Sequence, residues 1–107
     1  MRISEDSLRL RKAVEDKSLN LRDIATRFGA KNLRVFGSVA RGDSNFDSDI
    51  DFIVDSLSPE NDEKYDWVGF VSEIEETMKP VKVDVVNREF VRDRWLPFVP
   101  GKDVFVV

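Results

Sequence analysis

Residues 33–54 read LRVFGSVARGDSNFDSDIDFIV. An apolar run, Leu33 to Phe36, stops at Gly37-Ser38; ten residues later Asp49 and Asp51 flank Ile50 and lead into Phe52-Ile53-Val54. The two apolar runs read as strands at 33–36 and 50–54, separated by glycine-marked turns. Side chains two apart in a strand share a face, so Asp49, Asp51 and Ile53 point one way and Ile50, Phe52 and Val54 the other. The second set can pack against helices. The first places two carboxylates side by side, which repel by about a few kcal/mol at an effective dielectric of about 20. A hard divalent cation compensates such a pair, and all-oxygen ligation with room for phosphate oxygens suits magnesium.

The Gly37-Ser38 turn is the complementary part. Glycine lets a backbone approach a phosphate, while the serine hydroxyl and nearby amides donate hydrogen bonds to it. Arg41 is placed to grip phosphate oxygens with its guanidinium fork, and Gly42 turns the chain back toward Asp49. Phosphate turn and acid pair together fit a nucleoside triphosphate.

Outward from this stretch, VKVDVV at 81–86 reads as a third strand, with Lys82, Asp84 and Val86 on one face. An acid inside so apolar a strand is costly to bury unpaired. If this strand lies beside 50–54, Asp84 projects toward Asp49 and Asp51, and the three acids can hold two magnesium ions about 3.5–4 Å apart. Asp84 is then the natural acceptor of a hydroxyl proton. Each piece also has an ordinary structural reading: a hairpin loop at Gly37-Ser38, a solubilising acidic edge at 49–51, and a surface ion pair of Asp84 with Lys82 or Arg88. Asp43 and Asp47 read as turn formers, and Trp67 and Trp95 as core.

The rest of the chain supplies helices. Ser4 to about Lys17 reads as helical, with Leu10, Ala13 and Val14 on one face. Asn20 is placed to cap a second helix carrying Leu21, Ile24, Ala25 and Phe28, with Gly29 as its stop. Ser58-Pro59 reads as the start of a third, whose Trp67, Val71, Ile74 and Met78 form a buried stripe ended by Pro80. Asn87 is placed to cap a short helix with Phe90, Val91 and Trp95, before a last apolar segment at 104–107. The expected fold class is α/β (α+β), a small mixed sheet packed by helices, in one domain over 1–107. Residues 33–86 form the expected catalytic core and 1–20 a helical N-terminal extension left for partner binding.

Composition narrows the chemistry. The 107 residues are 41% hydrophobic and 36% charged, with a net charge of -4, so a basic footprint for nucleic acid is missing. LRDIATRFGA looks like the first helix of a helix-turn-helix, but a strand follows where the recognition helix would stand, so no direct DNA binding is expected. Cysteine and histidine are both absent, which removes thiolate chemistry and the commonest general base. No apolar run approaches the roughly 18 residues of a membrane span, and the N-terminus lacks a signal-peptide core. The expected compartment is cytoplasmic.

Gly37-Ser38, ten residues, then Asp49-Ile50-Asp51 resembles the signature of the polymerase-beta-like nucleotidyltransferase superfamily. LRVFGSVARGDSNFDSDIDFIVD is similar to its minimal nucleotidyltransferase branch, and Val83-Asp84-Val85-Val86 resembles the strand that carries the third acid. The resemblance implies transfer of a nucleoside monophosphate from an NTP to a hydroxyl, with magnesium and release of pyrophosphate. It implies Gly37 and Ser38 on the triphosphate, Asp49 and Asp51 on metal, and Asp84 as third ligand and base. Small members are commonly antitoxins paired with HEPN ribonuclease toxins, and transfer AMP from ATP to a tyrosine of that partner. The C-terminus leaves no room for the helical substrate domain of larger relatives, so the acceptor is expected on another protein. A non-catalytic antitoxin that occludes its partner, or a small-molecule nucleotidyltransferase subunit, are the alternatives.

Overall fold

The computed structural model describes residues 3–58, 65–90 and 105–107. Its central strand is β3 (Ile50–Val54), flanked antiparallel by β2 (Arg34–Phe36) and parallel by β5 (Val83–Asn87). A short β6 (Phe105–Val106) adds antiparallel to β2, giving a four-stranded mixed sheet of order β5-β3-β2-β6. A separate two-stranded ribbon pairs β1 (Ala30–Lys31) with β4 (Ser56–Leu57). The expected mixed α+β architecture is the one observed.

Helices α1 (Glu5–Asp16), α2 (Ser18–Phe28) and α4 (Trp67–Met78) cover one face of the sheet. Ile50, Phe52 and Val54 are fully buried there among Leu10, Val14, Leu21, Ile24, Phe70 and Ile74. The alternation expected along β3 therefore sets the core face. Parallel strands need a long crossover, and α4 supplies it between β3 and β5. Phe70 anchors this helix, its ring 5.8 Å from Phe28 of α2 and 5.7 Å from Trp67. Outside, Arg27 grips both carboxylate oxygens of Glu73, at 3.1 and 2.7 Å, and so ties α2 to α4.

Several boundaries differ from expectation, each for a local reason. The first helix starts at Glu5, with Ser4 as its cap, accepting from the Ser7 amide at 3.1 Å. The second helix starts at Ser18, directly after α1, so Asn20 lies inside it; Gly29 is its left-handed stop. The next long helix begins at Trp67, where the Asp66 carboxylate accepts from the Gly69 amide at 2.9 Å. Ser58 precedes it by nine residues' distance in sequence and does not cap it, while Pro59 lies outside the described residues. The buried stripe is Phe70, Ile74 and Met78, with Trp67 and Val71 half-buried beside it. The third strand runs Val83–Asn87, two residues later than read at its start. Asn87 accepts from the Glu89 amide at 2.9 Å and opens only a 3-10 turn, Arg88–Phe90; Val91 and Trp95 lie outside the described residues.

Truncating Phe52 leaves a void under the centre of the sheet. Phe52→Ala should cost about 3–5 kcal/mol, whereas Leu19→Ala at an exposed position of α2 should stay within about 0.5 kcal/mol. Urea unfolding of the two variants measures the contrast.

Candidate active site

Strand register brings the acids together. Within the sheet Phe36 pairs with Asp51, and Asp51 pairs in turn with Asp84. Neighbouring strands lie about 4.8 Å apart, so Asp51 and Asp84 stand side by side on the face opposite the core. Asp49 immediately precedes β3 and joins them by the two-residue alternation. Asp49 and Asp84 are exposed and Asp51 is half-buried. Asp84 forms no ion pair with Lys82 or Arg88, so the surface-pair reading of that residue fails among the described residues.

The turn expected to hold phosphate is a short helix, α3 (Gly37–Arg41), that strand-and-turn patterning does not reveal. Gly37 enters it with φ +73°, and a Cβ there would collide with the Asp51 carboxylate. Glycine is thus required twice, by the left-handed backbone and by the close approach of the acid. Phe36 provides no side-chain cap for this helix, and the first amides of a helix have no intrahelical partner. Gly42 ends α3 in the left-handed conformation, with its amide donating to the Ser38 carbonyl at 2.9 Å. Arg41 sits exposed in the last turn, its Nε donating to Asp43 at 3.3 Å. The loop back to β3 is built by Asn45 and Ser48: the Asp47 amide donates to Asn45 Oδ1 and the Asn45 amide to Ser48 Oγ, both at 2.9 Å. Asp47 thus lies within the Asn45–Ser48 turn, whose side-chain bonds come from Asn45 and Ser48, while the Asp43 side chain accepts from Arg41.

The acid row is electrostatically unfavourable by itself. Burial, and then the negative charges of Asp84 and Asp49, push the Asp51 carboxyl from its ordinary 3.8 up to about 6, against a partial offset from Arg41. As the side chains stand, no three acids among the described residues are gathered closely enough to hold a metal ion between them. Magnesium is usually held by one or two carboxylates completed by substrate phosphates and water, without an all-protein cage. The donor chemistry fits that mode: oxygen ligands alone, a half-buried acid destabilised by its neighbours, and a phosphate turn in contact with it. Asp49, Asp51 and Asp84 are the residues that could hold the ion.

A cleft of about 310 Å³ opens beside Asp49, with Arg9, Phe46 and Lys82 on its walls. It brings basic groups from α1 and from the approach to β5 toward the first acid. Sequence reading passed over a second set of residues too. Ser4, Ser7 and Arg11 of the N-terminal segment all bond to the α3 region. Their only sequence signal is a pair of serines on a helix face that also carries Leu10 and Val14, and it becomes readable only once α1 is seen to lie against α3.

The Asp51 shift has a consequence for stability. Its folded value lies above its unfolded one, so its stabilising contribution is complete below 3.8 and is lost as pH rises through about 6. Asp51→Asn should therefore melt above wild type at about pH 7.5 and lose that advantage at about pH 4.5. Magnesium should raise the melting temperature of wild type and not of Asp51→Asn. Thermal melts across pH, with and without the ion, check all three outcomes.

Comparison with known proteins places this geometry. The nucleotidyltransferase domain family matches residues 9–105. A solved structure provisionally described as a minimal nucleotidyltransferase is 30% identical, superposes with a TM-score of 0.65, and aligns over 82% of this chain and 87% of its own. A search of curated proteins finds no match. With the Gly37-Ser38 turn set against a row of acids and a family match over nearly its whole length, this chain belongs to the nucleotidyltransferase domain family and has the fold of a minimal nucleotidyltransferase.

Proposed function

We propose that this protein is a magnesium-dependent adenylyltransferase that moves AMP from ATP to a tyrosine hydroxyl of a HEPN-type ribonuclease toxin, and so acts in the cytoplasm as its antitoxin. The observation that carries the reading is the row of Asp51 and Asp84 in register beside Gly37, with Asp49 and Asp84 open to solvent. An open acid row admits a hydroxyl borne on a large partner.

Gly37 and Ser38 receive the triphosphate by close backbone approach and hydroxyl donation. Arg41 adds a guanidinium to the same oxygens. Asp49, Asp51 and Asp84 would hold magnesium against the phosphates, which supplies charge neutralisation and a more acidic acceptor hydroxyl when bound. The acceptor oxygen bonds to the α-phosphorus while the bond between that phosphorus and the α–β bridging oxygen breaks, and pyrophosphate departs. The hydroxyl proton passes to Asp84, since the chain has no histidine or cysteine to take it. Orientation of the two reactants and stabilisation of the spreading negative charge provide the acceleration.

Incubation with labelled ATP, magnesium and a HEPN partner tests the reading. Label should appear on the partner's tyrosine. Because metal assistance supplies several kcal/mol, Asp49→Asn and Asp51→Asn should each lower the rate by about a hundredfold or more. Toxin neutralisation that survives both substitutions would establish occlusion instead, and label on a small molecule alone would redirect the acceptor.

A further inference from the structure

The N-terminal helix does more than cover the core. Arg11 donates from Nε to the Val39 carbonyl at 3.0 Å and from Nη2 to the Ala40 carbonyl at 2.8 Å. These oxygens lie at the C-terminal end of α3, where carbonyls have no intrahelical donor. The Ser4 amide donates to the Gly42 carbonyl and the Ser4 hydroxyl to the Ser44 carbonyl, both at 2.8 Å. The Ser44 amide donates to the Ser7 hydroxyl at 2.9 Å, and the Ser44 hydroxyl donates to Ser38 Oγ at 3.1 Å. Ser7 and Ser44 are both buried, at 0% and 4% exposure.

We infer that Arg11, Ser7 and Ser44 are positioning residues, which brace α3 from behind and aim the Ser38 hydroxyl at the triphosphate. The inference rests on the nucleotidyl-transfer reading of the site. Helices shorter than about 12 residues are marginal alone, and α3 has five. Its N-terminal end is fixed by the β2 strand; its C-terminal end depends on the α1 contacts. The relay also sets direction. Ser44 donates to one of the two acceptor positions of the Ser38 oxygen, which fixes its orientation and leaves its own proton to donate outward to a phosphate oxygen. Ser38 is half-buried, so that proton has access to the site. Buried serines that merely satisfied one another would not need to end on the one hydroxyl of the phosphate turn.

Binding of inorganic tripolyphosphate and of magnesium ATP, measured by calorimetry, tests this without turnover. Ser44→Ala should weaken both by about three- to tenfold and raise KM for ATP by a similar factor, with kcat changed by less than about twofold. Arg11→Met should speed amide hydrogen exchange across 38–43 by about tenfold, leave the β3 amides unchanged, and weaken both ligands. Arg11→Lys, which keeps a charged donor, should recover most of that loss. Unchanged affinities in Ser44→Ala and Arg11→Met, or an Arg11→Lys variant as impaired as Arg11→Met, would overturn the brace. So would a wild-type protein that binds no tripolyphosphate. Wild type that binds both ligands but transfers no AMP would overturn the proposed reaction and leave the brace standing.

Discussion

The parallel pairing of β3 with β5 is the constraint on which the site depends. It sets Asp51 opposite Asp84 and so creates a like-charge contact that lowers stability. The opposite faces of the same strands hold it in place. Ile50, Phe52 and Val54 are fully buried, while Val81, Val83 and Val85 pack against the same core. A one-residue slip in either strand would turn these apolar side chains to solvent. The hydrophobic face therefore enforces the register that the acids alone would oppose. The strain is local, expressed in the raised proton affinity of Asp51, and it is relieved by whatever positive charge enters the site.

The second part of the site is fitted to the first at the level of single atoms. Gly37 follows Phe36, the residue that pairs with Asp51, so the phosphate turn begins where the acid row ends. There is no space for a side chain between them. A phosphate bound at the turn would thus lie beside the acids, and the short length of α3 makes its orientation dependent on neighbours. Its support comes from α1, through charge-assisted bonds to carbonyls and a buried run of hydroxyls. The N-terminal segment, expected as an extension for partner binding, is in contact with the Gly37-Ser38 turn region.

Much of this was legible before the fold was seen. Period-two alternation at 49–54 and 81–86 placed Asp49, Asp51 and Asp84 on one face and Ile50, Phe52, Val54, Val83 and Val85 on the other. These five belong to or pack on the core, although Ile53 is fully buried on the acid face as well. The errors cluster where local signals compete. Ser58-Pro59 and Asn20 are good capping residues by type, yet Asp66 and the α1–α2 junction hold those positions, because the buried stripe containing Phe70 fixes where α4 begins to be useful. Asp47 does sit in the turn, but the side chains that bond it are those of Asn45 and Ser48, and Asp43 lies outside it. The α3 helix is too short for any periodicity to reveal.

Sequence alone named the candidate residues: the glycine-serine turn, the spaced acids, and the lack of histidine and cysteine that makes a carboxylate the expected proton acceptor. These are matters of residue type and of alternation along one strand, both local. Tertiary structure alone decided that Asp84 stands next to Asp51, that Gly37 touches that same acid, and that Ser7 and Arg11 reach the phosphate turn. Those contacts join residues 14 to 37 positions apart in the chain, and only the packing of helices on the sheet, driven by burial of apolar area that is indifferent to the site it creates, brings them together.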